Sequence, residues 1–357
     1  MKTFHCDHCQ ALLFFESTKC LSCGHVLGFL PDLQRAAALE PVDDGQWRRV
    51  NDDQPDRRYR LCANYSESNI CNWALPAEEA QSLCASCRLT RIVPDLSIAG
   101  HPEAWAKLEN AKRRMLYTLY RLGCSVRDRV QDSQHGLAYE FLASSPGGPK
   151  VLTGHENGVI TVDVAEADDA IREMQRNKLH EPYRTLLGHF RHEIGHYYWM
   201  LLVEMPSRQE SFREIFGDER ADYATALQSH YDSGAPSGWQ ERYISAYAAS
   251  HPWEDWAETW AHYMHMYDVL ETAADSGLKL EPARRDEPTL TTAKLSGHPS
   301  FEQLLNNWFP VTFVLNNLNR SMGLPDGYPF VLSDAVISKL RFVHETIQHH
   351  RDNITAQ

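Results

Sequence analysis

Long apolar runs are missing from this chain of 357 residues. No segment approaches the ~18 uninterrupted apolar residues that a spanning helix needs, and the opening MKTFHCDHCQ lacks the apolar centre of a secretory leader. The expectation is a soluble, cytoplasmic protein with no membrane partner. Positive charge is also short, with 35 Lys+Arg against 48 Asp+Glu and a net charge of −13. Residues 1–95 carry 10 basic and 13 acidic side chains, so neither end forms the basic surface that nucleic-acid binding requires. Cysteine is nearly absent from the larger part: eight of nine precede residue 88, and Cys124 stands alone. With 43% hydrophobic and 23% charged residues the chain is otherwise ordinary and globular, long enough for two or three domains.

In a reduced compartment, clustered thiols are kept for metal rather than for disulfides. Cys6-Asp-His-Cys9 and Cys20-Leu-Ser-Cys23 are two C-x2-C knuckles, each presenting two sulfurs from a tight turn, and together they supply a tetrahedral zinc site. His5, His8 and His25 stand nearby, but four thiolates already suffice. Cys62, Cys71, Cys84 and Cys87 form a second set, less regular in spacing, with turn-forming Asn beside two of the thiols. Both sets are expected to be structural. Cys124 is left as a small buried hydrophobe. Between the sets, residues 31–60 are rich in Asp, Arg, Gln and Pro and read as a solvated connector.

Beyond residue 96, the segment 101–122 has apolar residues at helical spacing, with Lys112, Arg113 and Arg114 as a solvated face. Short runs at 137–142, 151–153 and 158–164 suggest a small antiparallel sheet, followed by a helix over 168–178. Residues 183–204 form a strong helix candidate containing His192-Glu193-Ile194-Gly195-His196. This is H-E-x-x-H: two histidines four apart share one helical face and offer nitrogen to one zinc, while Glu193 is placed to handle the proton of a metal-bound water. Gly195 weakens the helix intrinsically but admits close approach of another segment. His189 reads as packing or as support for the ligands.

A catalytic zinc needs a third protein ligand and an open position. Two segments compete, residues 217–223 with Asp218, Glu219 and Asp222, and residues 251–262 with Glu254 and Glu258. The second resembles the E-x-x-A-E-x-x-A pattern of Glu-zincin metallopeptidases such as anthrax lethal factor, over Glu254, Ala257, Glu258 and Ala261. That resemblance implies Glu254 as ligand, with Asp218 or Glu219 the alternatives. It also implies Tyr247, seven residues before Glu254, as a phenol donor to the tetrahedral intermediate. Asp218, Glu219 or Asp222 would otherwise either orient the histidines or form a surface helix cap with a salt bridge. Glu258 and His262 would support the site, unless His262 and His265 only cover the helix surface, and Trp253, Trp256 and Trp260 read as core.

The order of features, from the paired knuckles through TGHENGVITVDVAEADDA, HFRHEIGHYYW, FGDERADYATALQSHY and SAYAASHPWEDWAETWAHY to SMGLPDGYPFVLS, resembles a bacterial family of zinc-binding metallopeptidases with an N-terminal zinc ribbon. The expected fold is α+β, with a mostly helical zincin-like domain at 96–357 behind a zinc ribbon at 1–30, the connector at 31–60 and a second zinc module at 61–95. The expected function is zinc-dependent hydrolysis of a protein or peptide substrate, using one catalytic and two structural Zn²⁺. The rival reading is a zinc-stabilised docking or regulatory protein without proteolysis. Domain order also suggests a latent protease whose N-terminal modules cover the cleft. From Phe301 a helical cap is expected, ending in a helix from Asp334 to about His349, with 350–357 frayed.

Overall fold

A computed structural model of the protein describes residues 1–54, 56–145, 147–179, 184–291 and 299–355. It mixes helices with small sheets, as expected. Strands β1 (Phe4–His5) and β2 (Leu12–Leu13) pair antiparallel around the first knuckle. Strands β3 (Val26–Leu30), β4 (Arg35–Pro41), β5 (Trp47–Arg49), β6 (Tyr59–Leu61) and β7 (Ala74–Pro76) then form an antiparallel sheet in chain order.

Residues 31–60 are therefore not a solvated connector. Strand β4 runs through them with Ala36, Ala37, Ala38 and Leu39 all buried. Alanine is a weak strand former, so the polar turns around it dominate the sequence pattern and hide the strand. The division into modules 1–30 and 61–95 also changes, because β3 follows the first cysteine set directly while β6 and β7 flank Cys62, the one-turn helix α1 (Ala63–Ser66) and Cys71. One sheet joins both sets.

The boundary at 96 is crossed as well. Strand β8 (Thr90–Ile92) pairs in parallel with β9 (Ala138–Leu142), which pairs in parallel with β11 (Val159–Asp163). Strand β10 (Gly154–Glu156), three residues later than the run at 151–153, closes an antiparallel hairpin with β11. Its turn residues Asn157 and Gly158 both have positive φ, the conformation a two-residue hairpin requires. Antiparallel pairing thus holds for the hairpin, while β9 joins in parallel, and β8 covers the side of β9 that would otherwise be an open edge.

Helix α2 (His101–Leu122) lies between the ribbon and this sheet. Lys112 and Arg113 do not face solvent: they are 0% and 1% exposed. The Lys112 ammonium pairs with Glu109 at 3.0 Å and donates to Thr90, while the Arg113 guanidinium donates to the Ile70 carbonyl at 2.7 Å. Packing on both sides of α2 pairs these two charges internally, while Arg114 stays partly exposed and pairs with Glu16. Helices α3 (Asp169–Leu179), α4 (Leu186–Leu202), α5 (Pro206–Phe216), α6 (Tyr223–Ser233), α7 (Pro252–Asp275), α8 (Phe301–Ser321) and α9 (Asp334–Thr355) follow. Tyr183, the first residue of the expected metal helix, lies outside the described residues. Helix α9 runs well past His349, through most of the tail expected to fray.

The core is continuous from ribbon to helices. Phe4, Phe15 and Phe29 surround Tyr117 of α2 with ring centroids 5.7–6.2 Å apart. Met1 bonds to α7 at Asp268 and Thr272, and Thr3 at Asp275. At 1.5 Å per residue, Asp268 lies about 21 Å along α7 from Glu254. The ribbon is thus anchored at the far end of α7, which argues against its covering the cleft at Glu254. Among the described residues no helix is long and apolar enough to cross a membrane.

Candidate metal centre

Helix α4 starts at Thr185, whose hydroxyl accepts from the Gly188 N–H at 2.9 Å, satisfying a donor the helix leaves unpaired. Helix α7 starts at His251. Its Nδ1 accepts from the Trp253 N–H at 3.1 Å, Pro252 occupies the first turn, and its Nε2 donates to the Ala221 carbonyl at 3.1 Å. The two helices press together at Gly195, where a Cβ would meet the Ala257 Cα at 3.0 Å and the Trp260 Cβ at 3.1 Å. Trp256 locks this crossing by donating its indole N–H to the Gly195 carbonyl at 2.8 Å.

This crossing brings His192 and His196 against Glu254. The two Nε2 atoms are 3.2 Å apart, and Glu254 Oε2 lies 2.9 Å from that of His192 and 3.4 Å from that of His196. All three residues are buried. Apart from these two facing imidazoles, Glu254 Oε2 has no hydrogen-bond partner among the described residues, as expected of an oxygen shaped for a cation. Burial pushes the Glu254 carboxyl up, but His196 and His192 outweigh it and hold the group well below the usual carboxylate range. The donor set is two imidazoles and one carboxylate, which suits zinc with a position left open.

Around these groups stands a ring of supports. Glu258 Oε1 lies 2.7 Å from His192 Nδ1, and its other oxygen accepts from Ser245 at 2.6 Å. Burial opposes ionisation of Glu258, yet His192 and Ser245 draw it down to about 2. Such a carboxylate fixes the tautomer and orientation of a ligand histidine. The Tyr223 hydroxyl donates to Glu254 Oε1 at 2.5 Å. The sequence carries no local sign of this contact, because it joins residues 31 apart. Trp253, expected as core, instead lays its ring 3.8 Å from that of His196, whereas Trp256 and Trp260 are fully buried.

Glu193 is 5% exposed and its Oε2 has no partner among the described residues, while Oε1 is 3.8 Å from His189 Nε2. His189 Nδ1 in turn is 3.3 Å from Glu166. The Tyr247 ring lies 5.9 Å from that of His192. Burial and the charge on Glu254 push its phenol well up, so it stays a proton donor at neutral pH.

The competing segment does not join the cluster. Asp218 pairs with Arg220, Glu219 with Arg213, and Asp222 caps α6 through the Thr225 N–H at 2.6 Å. The three thus follow the reading of a helix cap with salt bridges, and the carboxylate beside His192 is Glu258. His262 meets the Tyr328 hydroxyl at 2.8 Å, tying the loop at 324–330 to α7 behind Glu258. Residues 158–164 contain the internal strand β11, and among the described residues the outer strand on that side of the sheet is β10. His155 on β10 sits with its ring 6.5 Å from that of Trp253, held neutral down to about pH 3 by burial and by His196.

Both cysteine sets converge, with the donor atoms of each set within 4.8 Å of one another. The Sγ separations of 3.6 Å for Cys6–Cys23 and Cys9–Cys20, and 3.7 Å for Cys71–Cys84, approach the about 3.8 Å edge of a zinc tetrathiolate with Zn–S near 2.3 Å. Cys124 is buried, and burial pushes its thiol up to about 12.

A family model described as "Putative zinc-binding metallo-peptidase" matches residues 101–346, and a zinc-ribbon domain model matches residues 3–98. The second span contains both cysteine sets, in agreement with the shared sheet. Proteins of Mycobacterium bovis and Mycobacterium tuberculosis, each described as uncharacterized, are 46% identical over 349 residues, covering 97% of this chain and 95% of theirs. No solved structure matches the chain.

Proposed function

The chain belongs to the zinc-binding metallopeptidase family whose model spans its helical part, and we propose that it hydrolyses peptide bonds at the His192–His196–Glu254 centre. The observation that carries this reading is the convergence of two Nε2 atoms on the buried, unpartnered Glu254 Oε2. His192, His196 and Glu254 would hold the ion. When bound there, zinc lowers the pKa of its water from about 15.7 to about 7 and polarises the scissile carbonyl.

The protein supplies the rest. Glu193, with a free buried oxygen, takes the proton of the attacking water and passes it to the leaving amine nitrogen. Tyr247, protonated at neutral pH, donates to the oxygen on which negative charge develops. Glu258 and Tyr223 keep His192 and Glu254 oriented. The exposed edge of β10 offers backbone groups to an extended peptide beside Trp253. The two tetrathiolate sets are structural zinc sites that hold the ribbon in shape against α2.

Metal analysis tests this reading. Three tightly held zinc ions per chain are expected, one for each of the three converged donor sets, and His192→Ala should remove one of them. Two zinc ions in both proteins would overturn it.

A further inference from the structure

The two tetrathiolate sets differ in their surroundings. All four sulfurs of the second set are buried, and the buried Arg113 guanidinium stands beside Cys71, Cys84 and Cys87 as a fixed counter-charge. In the first set Cys9 and Cys23 are only half-buried. Its outer face carries two imidazoles: His8, exposed and lying inside the first knuckle, and His25, two residues beyond Cys23. Their rings stack with centroids 4.3 Å apart, and His25 Nδ1 lies 3.3 Å from Cys23 Sγ.

Donor atoms of His8, Cys23 and His25 all fall within 4.8 Å of one another. A tetrahedral zinc with bonds of about 2.0 Å to nitrogen and 2.3 Å to sulfur has donor edges of about 3.3–3.5 Å. The Cys23–His25 edge already has that length, and His8, on the surface, needs only a small movement to complete the face. Four thiolates around one Zn²⁺ leave a net charge of −2, which Arg113 offsets in part at the second site; two neutral imidazoles plus a second divalent ion would offset it at the first.

We propose that His8, Cys23 and His25 form an exchangeable zinc site, sharing the Cys23 thiolate with the first tetrathiolate, through which zinc enters and leaves the first ribbon. Water completes its coordination. The four sulfurs of the second set are all buried, and among the described residues no imidazole joins them. This inference does not depend on the peptidase reading.

The test uses the untagged full-length chain with its tight sites filled. Zinc is added and counted by native mass spectrometry, and release to a chromogenic chelator is then followed. Wild type should take up one more zinc than His8→Ala/His25→Ala, and the double variant should lose its fastest-released tight zinc at least ten-fold more slowly. His8→Ala alone, at an exposed position, should weaken the extra site without altering the circular dichroism spectrum. The same difference should persist in a His192→Ala background, which separates this site from the peptidase centre. Equal zinc uptake by wild type and the double variant overturns the site. Unequal uptake with equal release rates overturns the exchange route.

Discussion

The Tyr223 hydroxyl donates to Glu254 Oε1 at 2.5 Å, while the other oxygen of the same carboxylate faces His192 and His196. The hydrogen bond occupies one lone-pair face and leaves Oε2 for the metal. Tyr223→Phe keeps the ring against His251 and Trp253 but removes the donor. Zinc affinity at this centre should fall about 10–100-fold, with stability changed by about 1 kcal/mol at most. Competition against a chelator of known affinity checks this; an unchanged affinity would show that Tyr223 does not orient the ligand.

Gly195→Ala separates two opposing effects. Helix propensity alone makes Ala more favourable than Gly by about 1 kcal/mol. At this position the added methyl meets the Ala257 Cα at 3.0 Å and the Trp260 Cβ at 3.1 Å. The clash should win, destabilising the fold by about 1–3 kcal/mol in denaturant titration and spreading the metal ligands. A stabilised variant would mean that α4 and α7 are not in contact as described.

Stability should fall on mild acidification. Burial pushes His344 down to about 4, and its Nδ1 lies 2.8 Å from the Tyr263 hydroxyl, which donates only while that nitrogen is unprotonated. An unfolded histidine takes its proton near pH 6.5. Between about pH 6.5 and 4 the unfolded chain therefore binds more protons than the folded one, and stability present above this window is lost as pH falls through it. Burial lowers His262 to about 4 as well, with the same sign. His344→Gln should lose about 1 kcal/mol less than wild type between pH 7 and 5. Parallel curves for the two proteins would contradict this.

Arg113 is buried beside three thiols of the second ribbon and pairs with Glu109 at 3.7 Å. Arg113→Met keeps most of the volume but removes the counter-charge. The variant should surrender zinc to a chelator faster and lose on the order of 3–5 kcal/mol of stability. Zinc release at the wild-type rate would mean that the guanidinium does not compensate the thiolates.

What could be read from the sequence was local in the chain. His192 and His196 share a face because four residues make about one helical turn, and Gly195 between them signals a close crossing. Cysteine spacing makes the two sets visible, but not the sheet that joins them, because β4 is built from alanines between charged turns. The burial of Lys112 and Arg113 was equally hidden: charges at helical spacing look solvated until the ribbon and the sheet are seen on either side of α2. Tyr223 and Trp253 acquire their places only when α6 and α7 come together, and no short-range pattern encodes that.

The central claim is peptide hydrolysis with Glu193 as the proton carrier. The most direct measurement compares cleavage of a whole proteome by the wild-type chain and by Glu193→Gln, both assayed for zinc. The expected result is discrete cleavage products with wild type, a loss of about 100-fold or more with the variant, and the same zinc content in both. Equal cleavage by the two proteins, or none by fully zinc-loaded wild type, would contradict the assignment.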